Sequence, residues 1–104
     1  MASRRNPQYA SINIAGSGQQ TICSNPSTSQ FMYINELYFT CAAATTVQFY
    51  DGPGAIKGNI NVIAGTPISL IDMGQPHFTI SPNSVFNVSE GAGTQKSGYV
   101  RFSN

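Results

Sequence analysis

Charge is what this chain has least of. Charged residues make up 9 % of its 104 positions, against roughly 25 % in an ordinary soluble domain. From residue 41 to the end, the charged side chains are Asp51, Lys57, Asp72, Glu90, Lys96 and Arg101, with His77 as the single imidazole. Charge normally keeps a small monomer soluble and blunts exposed strand edges. A chain that does without it is expected to cover its surface with other protein, which points to an assembly component before an enzyme. The net charge of +1 lacks the basic footprint of a nucleic-acid binder.

Other absences narrow the field further. No apolar run approaches the length of a membrane span. Arg4 and Arg5 are not followed by a hydrophobic segment, which argues against a secretory leader. The expectation is therefore a protein made and kept in the cytoplasm or carried within a particle. Two cysteines, Cys23 and Cys41, stand alongside one histidine. They do not form a zinc signature. In a reducing compartment they read as half-buried thiols packing as small hydrophobes, with a disulfide the less favoured alternative.

What replaces charge is Ser, Thr, Asn, Gln and Gly, together with 40 % apolar residues. Residues 1–8 form an N-terminal arm without periodicity, expected to be flexible. The rest, 9–104, reads as one domain. Alternation of apolar and polar residues predicts strands at 9–14, 19–23, 31–41, 45–50, 57–63, 68–73, 77–80, 85–90 and 97–103. Turn formers separate them, most clearly Asp51-Gly52-Pro53-Gly54. Eight or nine strands at a spacing of about 10 residues, with no helix, are the signature of an all-β sandwich or barrel. A single-domain, jelly-roll-like β-sandwich of about eight strands fits best.

The strand at 31–41 is unusual because both phases are apolar. Phe31, Tyr33, Leu37, Phe39 and Cys41 share one phase, interrupted by Asn35 and expected to face the core. Met32, Ile34 and Tyr38 share the other with Glu36 and Thr40. Two apolar faces suggest a strand covered on both sides, so Met32, Ile34 and Tyr38 are expected to meet another subunit. Among the aromatics, Phe39, Phe49, Phe86 and Phe102 fall on inward positions. Tyr38, Tyr50 and Tyr99 fall on the outward phase, where tyrosine brings large area with a polar tip to an interface. Arg4 and Arg5 read as a solvated tail or as an arm lying on an acidic neighbour.

Catalytic chemistry finds little to work with. Glu36, Asp51, Asp72 and Glu90 are the only carboxylates, and their spacing does not suggest a glycosidase pair. His77 follows Pro76 beside a turn, and no G-x-S-x-G elbow accompanies it. Gly16-Ser17-Gly18 lacks the third glycine and the helix of a phosphate cradle. Asn87-Val88-Ser89 matches a glycosylation sequon, whose use requires secretion. The expectation is a non-enzyme with no cofactor and no metal.

From Leu37 onward the order of signals is distinctive: Phe39 in its strand, TTVQFY at 45–50, Asp51-Gly52, Ile56-Lys57-Gly58, Ile63-Ala64-Gly65, SVFNVS at 84–89 and a closing GYVRF at 98–102. In this order the chain resembles small tailed-bacteriophage virion proteins of the head-decoration (cement) type, over roughly residues 37–103. The resemblance implies a jelly-roll subunit, often a homotrimer, that sits on the capsid surface and bridges major-capsid subunits. Three weak contacts acting together would attach such a trimer tightly. The alternative is a tail, neck or fibre component with a lectin-like, glycan-binding role, served by polar loops and outward tyrosines. On either reading the expected interface residues are Arg4, Arg5, Met32, Ile34, Tyr38, Tyr50 and Tyr99.

Overall fold

Ten strands and no helix account for the regular structure in the computed structural model, which describes residues 7–56 and 58–104. Strict alternation builds the longer ones. In β1 (Gln8–Ile14) Ala10, Ile12 and Ile14 turn inward while Tyr9, Ser11 and Asn13 stay exposed. In β9 (Val85–Glu90) Phe86, Val88 and Glu90 are buried, and in β4 (Thr45–Asp51) Val47 and Phe49 are. The other strands are β2 (Gly18–Ser24), β3 (Met32–Cys41), β5 (Gly54–Ala55), β6 (Ile60–Val62), β7 (Ile68–Leu70), β8 (Phe78–Ile80) and β10 (Lys96–Ser103).

Every pairing is antiparallel, and the pairings are nested. β1 pairs β10, β2 pairs β9, β3 pairs β7 and β8, and β4 pairs β5 and β6. Cross-links between β10 and β3 and between β9 and β4 complete two sheets, β1-β10-β3-β7/β8 and β2-β9-β4-β5/β6. This is a long hairpin rolled into two layers, a jelly roll. At each far edge two short strands share one position: β7 lies against Leu37 to Phe39 and β8 against Met32 to Ile34. Counting each split edge once leaves four positions per sheet, the expected eight.

The core lies between the layers. Phe49 is its hub, with ring centroids 5.6 Å from Phe39, 5.4 Å from Phe78 and 5.5 Å from Phe86, spacings at which aromatic pairs attract beyond their buried area. Phe39, Phe49, Phe86 and Phe102 are all buried, as their alternation implies. The radius of gyration of 13.2 Å is that of one compact domain, about 13 Å for this length.

The expected strand boundaries shift in several places, and among the described residues of 57–63 only Ile60–Val62 pair as a strand. β1 starts at Gln8, one residue earlier than its alternation suggests. The segment 68–73 pairs only over Ile68–Leu70, leaving Ile71 and Met73 exposed in the following loop. The Asp51–Gly54 turn closes a hairpin with the extra strand β5; Gly52 takes φ 59° at the first central position, as a type II′ connection requires.

The larger correction concerns β3. Its pairing with β10 slips between Arg101 and Phe102, so Asn35 is an extra residue with no partner across the ladder. Such a bulge exchanges the two faces. Before it, Met32 and Ile34 point inward; after it, Leu37, Phe39 and Cys41 do. Met32 and Ile34 are therefore core residues at 0 % exposure, not interface residues, while Phe31 and Tyr33 are exposed. Asn35 itself is buried and donates from Nδ2 to Ser103 Oγ at 3.0 Å. The doubly apolar strand is one inward face displaced by one residue.

Candidate interaction surfaces

The outer face of the first sheet carries an aromatic patch. Tyr99 on β10 stands directly opposite Tyr38 on β3, and the rings stack at 5.9 Å with planes 17° apart. Tyr9 on β1, opposite Arg101, brings its ring within 6.4 Å of Tyr99. Exposure is 67 % for Tyr9, 39 % for Tyr38 and 37 % for Tyr99. Three partly exposed rings on one sheet face form a contiguous patch, unlike scattered single apolar groups.

An ion cluster lies among these rings. Arg101 Nε donates to Glu36 Oε1 at 3.3 Å and its Nη2 donates to Asp72 Oδ2. Tyr99 donates its hydroxyl to Glu36 Oε2 at 2.9 Å. The bond to Asp72, together with that to Glu36, raises the Arg101 pKa and keeps it charged; the bond to Glu36 raises that of Tyr99. Asp72 reaches the cluster from the loop after β7, where its Oδ1 caps the Gly74 amide at 3.0 Å. His77 closes the same loop by donating from Nε2 to the Ile71 carbonyl at 2.5 Å.

A second pair of charges is buried outright. Lys96 Nζ donates to Glu90 Oε1 at 2.9 Å and to the carbonyls of Gly16 and Thr94, both at 2.8 Å. Glu90 also accepts from Thr45 Oγ1 and the Ala92 amide at 2.6 Å, from Gly93 at 3.0 Å and from Thr94 at 3.1 Å. Burial pushes the Glu90 carboxyl upward, but the bonds from Thr45, Lys96 and Ala92 and the charge of Lys96 outweigh it and bring it down to about 2. With Asp51 accepting from the Ser81 amide and hydroxyl, every charged side chain among the described residues is engaged inside the subunit. Two cations and four anions give this body a charge of −2, so Arg4, Arg5 and Lys57 carry the +3 that brings the chain to +1.

Among the described residues the outer face of the second sheet is uncharged. Gln19 and Thr21 on β2 stand opposite Ser89 and Asn87, which in turn stand opposite Gln48 and Tyr50 on β4. Tyr50 is half-buried and donates to Gln48 Oε1 at 3.2 Å. It lies on the other sheet from Tyr38 and Tyr99 and shares no patch with them. Asn87, the sequon asparagine, is also half-buried and donates to the Gly52 carbonyl at 3.2 Å.

The thiols face inward. Cys23 stands opposite Phe86 and its pKa is pushed up to about 12 by burial. Cys41 stands opposite Lys96, and burial, then the charge of Glu90, raises its pKa against the opposing pull of Lys96. Both are free, and neither is poised as a thiolate nucleophile. Among the described residues no group of three or more His, Cys, Asp or Glu stands close enough to hold a metal. No helix there is long and apolar enough to cross a membrane.

Of the seven expected interface residues, Tyr38 and Tyr99 come together, Tyr50 lies on the opposite layer, Met32 and Ile34 belong to the core, and Arg4 and Arg5 lie outside the described residues. Tyr9, Glu36, Asp72 and Arg101 are the additions. The outward phase of Arg101 and the shared phase of Glu36 and Tyr38 are visible in sequence; which strands lie side by side is not.

No protein-family model and no curated protein matches this sequence. Among solved structures, a chain from the work described as "Bacillus endospore appendages form a novel family of disulfide-linked pili" superposes with a TM-score of 0.52 over 96 % of this chain and 88 % of that one. The two are 15 % identical, and the likeness is one of fold.

Proposed function

We propose that this chain is a structural, non-catalytic subunit of a larger protein assembly, joined through the outer face of the first sheet. The observation that carries this reading is the Tyr9–Tyr38–Tyr99 patch on a body whose described charges are all spent on internal partners. A surface with few free charges has little to hold water over an aromatic patch. Tyrosine-rich patches are what subunit contacts collect. Within this class, the order of strands and glycines supports a head-decoration subunit on a phage capsid, where a homotrimer would bridge major-capsid subunits and oppose their separation.

A second reading, a subunit of a filamentous appendage, is favoured by the superposition on a pilus chain. That structure is described as disulfide-linked, whereas both cysteines of this sequence turn into their own subunit. Contacts made by this chain would accordingly be non-covalent.

Sedimentation velocity over a range of concentrations, followed by electron microscopy and immunogold labelling of the source culture, tests the proposal. A closed trimer and label on phage heads support the decoration reading. Filaments and label along appendages support the second. A protein that stays monomeric at all concentrations and labels no particle overturns both.

A further inference from the structure

We propose that the tyrosine and carboxylate patch on the first sheet is the docking site for residues 1–6 of a second copy, with Arg4 and Arg5 as the groups it receives. This rests on the assembly reading above and names the contact within it. Glu36, Asp72 and Arg101 together carry a charge of −1 at the centre of the patch, and the described body as a whole carries −2. The complementary charge sits in the segment that precedes β1. Glu36 has 28 % of its side chain exposed and accepts from Tyr99 and Arg101 Nε, fewer bonds than the roughly four lone-pair sites of a carboxylate. Tyr99 donates to it, Tyr38 lies two positions along the same strand, and Tyr9 lies beyond Arg101 in the same cross-strand row. A guanidinium suits such a site because it pairs with carboxylate in its plane and stacks on an aromatic face.

The assembly reading makes the receiving patch that of a second copy. β1 is the edge strand of its sheet, and Pro7 is the residue before it. Across the receiving sheet Tyr9, Arg101 and Glu36 stand in one row. Two strand spacings, from β1 to β3, cover about 10 Å, and six residues of chain can reach about 20 Å. The six residues before Pro7 are therefore long enough to cross that row on a neighbouring copy.

Complementation between two full-length variants tests this. In Arg4→Gln/Arg5→Gln the patch is intact and the cations are gone. In Tyr9→Ser/Tyr38→Ser the arm is intact and the patch is impaired; Tyr9 alone, at 67 % exposure, supplies a milder variant should the double one fold poorly. Association is measured by sedimentation velocity at low and high salt. Each variant alone is expected to associate at least about tenfold more weakly than the original chain, and the arginine variant is expected to lose the salt dependence that screened contacts confer. An equimolar mixture is expected to recover association, because one partner brings the arm and the other the patch. Failure of the mixture to recover overturns docking between copies. An arginine variant that associates as well as the original chain overturns the arm as occupant while leaving the assembly reading in place. An original chain that never associates overturns both.

Discussion

Protonating Glu90 removes a carboxylate that five donors hold in place. Its pKa falls from the ordinary 4.5 to about 2 in the fold. Below about pH 4.5 the unfolded chain therefore takes up a proton that the folded chain refuses, and stability falls as the pH drops from 4.5 towards 2. Above that window the contribution is fully present. Glu90→Gln is expected to flatten this acid slope. It also strands Lys96 at 0 % exposure without a counter-charge, a loss of about 3 to 5 kcal/mol. Thermal melts of both proteins between pH 2 and 7 check the two effects together. Gly98 is a second sensitive position. Its φ is 142°, and a Cβ there would lie 1.8 Å from the Tyr38 carbonyl oxygen. Gly98→Ala is expected to cost about 3 kcal/mol or more through strain and displacement of β3, read as a lowered urea midpoint.

At the scale of the element, β3 shows how one residue reassigns a whole strand. Its period of two is interrupted in the sequence only by a polar Asn35 on the apolar phase, so alternation assigns Phe31 and Tyr33 to the core and Met32 and Ile34 to the outside. The bulge at Asn35 inverts that half of the strand. Its partners are buried Ser103 and a slipped ladder, both supplied by a segment more than sixty residues away. Deleting Asn35 joins Ile34 to Glu36, whose partners Phe102 and Arg101 are already adjacent, so the ladder becomes regular and Met32 and Ile34 stay inward. The deletion chain is expected to keep its cooperative melt and its dispersed amide spectrum, losing about 1 kcal/mol with the Asn35–Ser103 hydrogen bond. A deletion chain that unfolds would show that the bulge is required by the fold and is not an insertion the ladder tolerates.

For the molecule as a whole, the residues that hold the fold and those proposed for subunit contact are different. Ile34→Asp is expected to unfold the chain, because an unpaired carboxylate would sit in the core at a cost of about 3 to 5 kcal/mol. Tyr99→Ser, on the outer face, should change folding stability far less and act on assembly. Circular dichroism melts beside sedimentation separate the two outcomes. The inward thiols give a further expectation: assemblies of this chain, run on a denaturing gel without reductant, should migrate as a single-chain band. A ladder that collapses on adding reductant would show a disulfide between subunits and contradict the inward placement of half-buried Cys23 and buried Cys41.

The all-β class, the number of strand positions and the inward phenylalanines were already legible in the sequence. Local alternation and turn chemistry depend on neighbouring residues, and these are the terms a linear reading contains. The low charge was legible for the same reason. Partnership between distant residues was not. Glu90 and Lys96 read as two isolated charges flanking a glycine-rich turn until the fold buries them against each other. Tyr9, Tyr38 and Tyr99 lie on three strands spread over ninety residues, and only the nested pairing that places β10 between β1 and β3 makes them one patch. Pairing order and bulge position are settled by which arrangement buries the most apolar surface while satisfying every backbone donor. That balance is struck over the whole chain at once, so the tertiary structure alone decides it.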